Sequence, residues 1–300
     1  MSHVNKSNKN TYQARGHFIA ALGLLFGAFC WGIIWYPYRL LAESGLSGAV
    51  SSFYTYCMAI LIASVYSAQY WRSFIKQSSS IIWLAIVAGV TNLAYVLAVI
   101  DGEVMRVMLL FYLSPLWTLI LAHFWLKEKT HFTGYIAIAV SLLGAFIMLY
   151  EPKLNSLPLP KNTSEWLALA SGVGFSISNV ITRQATNLTV RAKSFAVWAG
   201  VLLVSLAYIL LSQSTFPSPQ SITMSQFLYL FTATLVLMLA TLAVQYGVTR
   251  MSAAKSSVLF LFELVVAAFA SYFFVHESMS ANEWVGGILI MAAAVFASLN

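Results

Sequence analysis

One glutamate stands in the stretch VLFLFELVVAAF, residues 258–269, where every other position is apolar. A carboxylate in hydrocarbon costs about 2.5–3.5 kcal/mol on insertion scales, so Glu263 either faces water or a cargo, or is held protonated and hydrogen-bonded between helices. If it is used, two chemistries fit: an anionic partner for an ammonium group, or a proton acceptor in a working cycle. Ser256, Phe260, Glu263 and Ala267 share one helical face by spacings of four, three and four.

Other chemistry-bearing residues recur at helical spacing. Thr234, Met238, Thr241 and Gln245 follow one another at four, three and four, which puts three polar groups on one side of an apolar segment. Such groups need partners, in a neighbouring helix or in a wet cavity. Asn92 and Tyr95 lie three apart, as do Tyr112 and Pro115; Trp31 and Trp35 lie four apart, and Ser178 and Asn179 sit deep in their own apolar stretch. Aromatic faces can hold a cation or stack an aromatic cargo, although Trp and Tyr also gather at lipid interfaces. Pro115 kinks its helix and frees a backbone carbonyl. The candidate binding set is therefore Glu263, Trp31, Trp35, Asn92, Tyr95, Tyr112, Asn179, Thr241, Gln245 and Phe260, with Glu263 and Pro115 for coupling or gating.

No catalytic constellation accompanies them. His3, His17, His123, His131 and His276 are scattered, with no HExxH, no thiol pair at metal spacing and no GxxxxGK[ST] phosphate loop. The expectation is a non-enzyme without cofactor or metal.

The elements that must position these residues follow from composition. Of 300 residues 60% are hydrophobic and 8% charged, where a soluble domain carries about 25% charged. A membrane span needs about 20 apolar residues. Ten stretches qualify: 17–40, 46–68, 81–100, 104–126, 132–150, 164–185, 193–212, 225–249, 252–275 and 281–299. The first is too long for a signal-peptide core and lacks a small-residue cleavage site, so it is expected to stay. Cys30 and Cys57 both fall inside spans and read as small buried hydrophobes. With the amino terminus inside, twelve basic residues lie on the cytoplasmic side and four, Arg39, Arg106, Lys153 and Lys161, on the other. That bias orients both termini to the cytoplasm of a cell inner membrane, and places the net charge of +7 against lipid rather than nucleic acid.

The chain also repeats itself. EPKLNSLPLPKNT, residues 151–163, is the most linker-like segment and divides the spans five and five. QSTFPSPQSITM, 213–224, reads as a second external loop. A shift of 149 residues lays Arg106 on Lys255, Phe111 on Phe260 and Glu128 on Glu277. Five spans per unit is an odd number, so the second copy must be inverted, as in many secondary transporters. The expected organisation is a cytoplasmic tail (1–16), a first five-helix repeat (17–150), an external linker (151–163) and a second repeat (164–300). Gly23 and Gly27 form a GxxxG pair, and Gly286 and Gly287 thin the last span for close packing. SANE, 280–283, reads as a capping box. Glu128 and Glu277, at opposite ends of the unit, read as interfacial structure with room for a gating role.

FGAFCWG at 26–32, YLSPLWTLILAHFWLKEK at 112–129 and MSAAKSSVLFLFELVVAAFASYFFVHESMSANEWVGG at 251–287 resemble the drug/metabolite transporter superfamily, EamA-like branch. The family's usual Glu-Pro is here Glu263 and Leu264, a departure that questions a proline hinge in the ninth span. The resemblance implies an all-α integral membrane protein of ten transmembrane helices in two inverted five-helix repeats, with a cavity bordered by spans one, three, four, six, eight and nine. It also implies secondary transport by alternating access, with export as the direction. The expected cargo is a small polar metabolite, foremost amino acids or related amine-bearing compounds, moved by a monomer or homodimer with protons as a candidate coupling ion. A passive uniporter or channel, or a carrier of nucleosides, cofactors or drugs, remains the alternative.

Overall fold

Twelve helices among the described residues account for the ten apolar stretches, because two stretches are each broken in two. The computed structural model describes residues 2–67, 79–101, 104–148, 160, 162–212, 216–217, 222–275 and 280–299. In chain order the helices are α1 (Ser2–Glu43), α2 (Gly48–Ser67), α3 (Ser79–Asp101), α4 (Val104–Phe111), α5 (Ser114–Trp125) and α6 (Phe132–Met148). They continue as α7 (Thr163–Gln184), α8 (Val190–Leu211), α9 (Met224–Arg250), α10 (Ala253–Phe260), α11 (Phe262–Val275) and α12 (Ala281–Leu299). Most of the 151–163 linker and the side chains of Arg106, Glu277 and Glu283 lie outside the described residues.

Local chemistry sets the visible starts. Asn162 caps α7 by accepting from the Glu165 amide at 2.9 Å, and Thr223 with Gln226 forms a reciprocal capping box on α9. Residues 2–16 of the expected tail continue α1 as helix. Once a helix is nucleated, adding residues costs far less than starting one, so a polar extension can stay wound.

Among the described residues six helical segments are long and apolar enough to cross a membrane: Arg15–Glu43, Gly48–Val65, Ser79–Val99, Val190–Leu211, Met224–Arg250 and Ala253–Phe274. The apolar runs of α6 and α12 are shorter, Phe132–Ile147 and Trp284–Ala293. Outward faces are greasy, with Phe18, Leu22, Leu61, Val65, Ile82, Val90, Leu203, Leu210 and Phe273 exposed. Inside, Ser51, Ser141, Ser171, Ser205 and Thr234 are buried. This is the polarity of a multi-pass membrane protein, in which lipid covers the apolar surface and the polar groups are turned inward.

Packing follows the repeat. α1 packs on α9 as α7 packs on α3; α1 meets α11 as α7 meets α4 and α5; α3 meets α8 as α9 meets α2. The pairs α2 with α8 and α6 with α12 map onto themselves. Direction shows the inversion. Gln226, near the start of α9, donates at 3.0 Å to the carbonyl of Ser44, just past the end of α1, so α1 and α9 are antiparallel. Arg183, near the end of α7, donates at 2.8 Å to the carbonyl of Thr249, near the end of α9, so those two are parallel. The equivalent helices α1 and α7 therefore run in opposite directions. Gly23 and Gly27 lie against α9, and Gly144 of α6 against Gly286 of α12, which accounts for the small residues by close packing. Cys30 and Cys57 are both free thiols.

Candidate functional site

The two broken stretches fail at matching places. In the first repeat the helix is interrupted at Tyr112 and Leu113, where Leu113 donates only to the third residue back, Leu110, and Pro115 stands in the first turn of α5, where its missing N–H costs nothing. In the second the helix lapses at Leu261, where Leu261 and Leu264 donate to the third residue back, Val258 and Leu261. Phe111 and Phe260, the pair aligned by the 149-residue shift, each end the first half-helix. The break in the ninth stretch is thus present with Leu264 in the proline position. Neighbouring helices pack closely at both breaks. Gly32 of α1 lies so close that a Cβ there would be 2.9 Å from the Glu263 carbonyl oxygen and 2.7 Å from Val266. On the equivalent side, a Cβ on Gly172 of α7 would be 2.7 Å from the Phe111 carbonyl oxygen.

Glu263 consequently occupies the first turn of α11, a helix that begins inside the bundle. The helix dipole favours negative charge in a first turn, so the backbone itself offsets part of the cost of a carboxylate at this depth. The side chain is half-buried. The Tyr112 hydroxyl hydrogen-bonds its carboxyl, and the Tyr95 phenol lies within its electrostatic reach. Three of the candidate residues thus converge from α3, the α4/α5 break and α11.

An aromatic layer adjoins them. Trp31 meets Phe260 with ring centroids 5.6 Å apart and Phe175 at 5.8 Å, and Phe175 meets Phe260 at 5.1 Å. Phe111 joins Phe175 at 5.6 Å, Tyr95 at 4.9 Å and Tyr112 at 5.4 Å. Rings from α1, α3, α4, α7 and α10 therefore form one connected cluster beside Glu263, with the edge-to-face and tilted geometries that quadrupoles favour. Phe175 was not singled out from the sequence. Its spacing of four from Asn179, and of eight from Arg183, carried the signal.

The amides sit on α3, α7 and α9. Asn179 and Gln245 are 6% and 7% exposed, each one turn before the residues that join α7 to α9, Arg183 and Thr249. The Asn179 Nδ2, Gln245 Oε1 and Asn92 Oδ1 atoms are buried without a hydrogen-bond partner. Unsatisfied buried amides are costly, and in a protein that binds small polar molecules they are places for water or cargo.

Other candidates go elsewhere. Trp35 packs edge-on against Tyr36, which stacks on Phe274 at 4.7 Å. The Thr241 hydroxyl donates to the Leu237 carbonyl at 2.7 Å, satisfying itself within α9. Thr234, from the same stripe, donates to the carbonyls of Leu230 and of Thr55 on α2, an interhelical bond rather than a lining group.

A model of the EamA-like transporter family matches this chain twice, over residues 18–150 and 162–299. The chain belongs to the EamA-like transporter family. No curated protein matches it. Among solved structures, one described only as a crystal structure of a protein is similar over 93% of this chain and 97% of its own, with a TM-score of 0.74 and 17% identity. At that identity the likeness speaks for the fold alone. Family and apolar helices together make this a membrane transporter with two repeats.

Proposed function

We propose that the protein is a secondary carrier for small polar, amine-bearing metabolites, amino acids foremost, working by alternating access about the Glu263 site. The observation that carries this reading is a carboxylate in the first turn of a half-helix inside the bundle, faced by Tyr112 and Tyr95 and flanked by the Trp31, Phe175 and Phe260 rings. Half-helix ends at mid-depth are where transporters of this plan bind cargo and coupling ions. Glu263 serves as counter-charge for the ammonium or as the group that takes up a proton, and the rings cover the cargo's apolar part.

Ten membrane crossings, both termini in the cytoplasm and residence in the cell inner membrane belong to the same reading, supported by the twelve-to-four split of basic residues. Export is the direction proposed, by analogy with the family. Purified protein screened against an amino-acid panel should gain apparent stability with a binder, by RT ln(1 + [L]/Kd). In proteoliposomes that compound should show counterflow, labelled exchanging for unlabelled without a gradient. Flux without counterflow would favour the passive channel. Glu263→Gln transporting the same compound at the wild-type rate from about pH 5 to pH 8 would remove Glu263 from the mechanism.

A further inference from the structure

Beneath the aromatic layer, the ends of four helices and the loop after α5 are drawn together by charge. Glu128 Oε1 lies 3.0 Å from the Arg183 Nε, and its Oε2 accepts from the Ala253 amide, the first of α10, at 3.0 Å. Arg183 also holds the Thr249 carbonyl. Lys193, fully buried at the start of α8, donates to the Thr182 carbonyl at 2.7 Å and to the Thr249 hydroxyl at 2.9 Å. The Thr249 hydroxyl in turn donates to the Gln245 carbonyl at 2.6 Å. A separate bond at 3.1 Å, from the Trp125 indole to Gln184, also joins the ends of α5 and α7.

Two features set Glu128 apart within this network. Its partner Arg183 lies, with Arg250, within electrostatic reach of Lys193, and Glu128 is the carboxylate that pairs with Arg183. It is also delivered by a strained backbone. Lys127 has φ +54, the one positive φ on a non-glycine among the described residues. The turn is closed by Leu126 and Glu128 amides that both donate to the Ala122 carbonyl, at 3.1 and 3.2 Å. A left-handed lysine costs about 1–2 kcal/mol and persists only where its surroundings repay it. Here the repayment is that the chain doubles back and presents Glu128 to α7 and α10.

We propose that Glu128 is a latch that holds the cytoplasmic end shut and must be released for the interior to open to that side. The inference rests on the transporter reading for its meaning, but not on the cargo or on Glu263. The carboxylate comes from the first repeat, and the groups it grips, Arg183 and the start of α10, come from the second. Removing its charge breaks the ion pair with Arg183 and weakens the bond to the Ala253 amide, the two contacts by which the loop after α5 grips α7 and α10. A partly buried pair that loses one partner is destabilised, so the helix ends it joined are released.

The test reads access rather than transport. In a variant with Cys30 and Cys57 replaced by serine, Gln245→Cys places a thiol one turn above the network. Inside-out vesicles are treated with a membrane-impermeant methanethiosulfonate, and the labelling rate is followed alongside the melting temperature. Glu128→Gln should label at least tenfold faster than its parent while still melting cooperatively. Equal rates in the two folded proteins would overturn the latch. If Glu128→Gln does not fold, Arg183→Gln breaks the same ion pair from the other side, and an unchanged rate there overturns it equally. No cargo is needed, so a wrong cargo assignment leaves this result standing, and a failed latch leaves the Glu263 reading untouched.

Discussion

The Ser176 hydroxyl of α7 donates to the Ser114 carbonyl at 2.8 Å, a bond between the sixth stretch and the break in the fourth. The same hydroxyl lies 3.0 Å from its own Gly172 carbonyl. Ser114 is the residue that the 149-residue shift lays on Glu263, so this bond anchors the first repeat's counterpart of the candidate site. Ser176→Ala should lower stability by about 1–2 kcal/mol, the usual cost when a buried hydrogen bond is lost. Thermal unfolding in detergent would register it as a drop of a few degrees.

Glycine at 172 should be replaceable only at a cost. A Cβ there meets the Phe111 carbonyl at 2.7 Å, and backbone atoms at a helix break have little room to yield. Gly172→Ala is expected to lose about 1–3 kcal/mol by overpacking and to slow transport. Gly16→Ala is the matched control, because a Cβ at that helical position finds nothing within 4 Å. It should be neutral or slightly stabilising.

Proline at position 264 should be accepted. Leu264 is in the first turn of α11, and its amide reaches only back to Leu261, at 3.1 Å. Leu264→Pro therefore gives up one local bond at a place where proline is least damaging. The variant should purify as a single species and melt cooperatively, lowered only by the part of the buried Leu264 side chain that proline does not refill. Ala267→Pro, further into the same helix, should cost about 3 kcal/mol or more and fail one of those two measurements.

Tyr112→Phe should weaken, without abolishing, whatever Glu263 does. It deletes the phenol that bonds the carboxyl and leaves the ring contact with Phe111. A charge-assisted hydrogen bond is worth about 1.5–3 kcal/mol, so a ligand that binds by opposing the Glu263 charge should change affinity roughly tenfold or more. Equilibrium binding to purified protein, compared with Glu263→Gln, would measure it.

Much of the architecture was legible because membrane composition leaves few options. Apolar runs of about twenty residues, a proline-rich divide and an odd number of stretches per half lead to a helical bundle of two inverted units. The breaks were half legible: Pro115 announces the first, but the second stands in an unbroken apolar run and is imposed by α1 through Gly32. Glu263, Tyr112 and Tyr95 could be picked out because polarity is conspicuous in such surroundings. Phe175 was marked only by its spacing of four from Asn179, a faint signal for one phenylalanine among 20. Lys193 looked like an ordinary basic residue beside a span, and only the tertiary fold turns it inward onto Thr182 and Thr249.

The opposed directions of α1 and α7 have a practical corollary. Each copy's backbone is a template on which the other's sequence can be laid. Threading residues 17–150 onto the backbone of the later copy, and the reverse, generates coordinates for the oppositely facing molecule that the proposed alternating access requires. Distances measured between spin labels on α5 and α10 could then be compared with both versions.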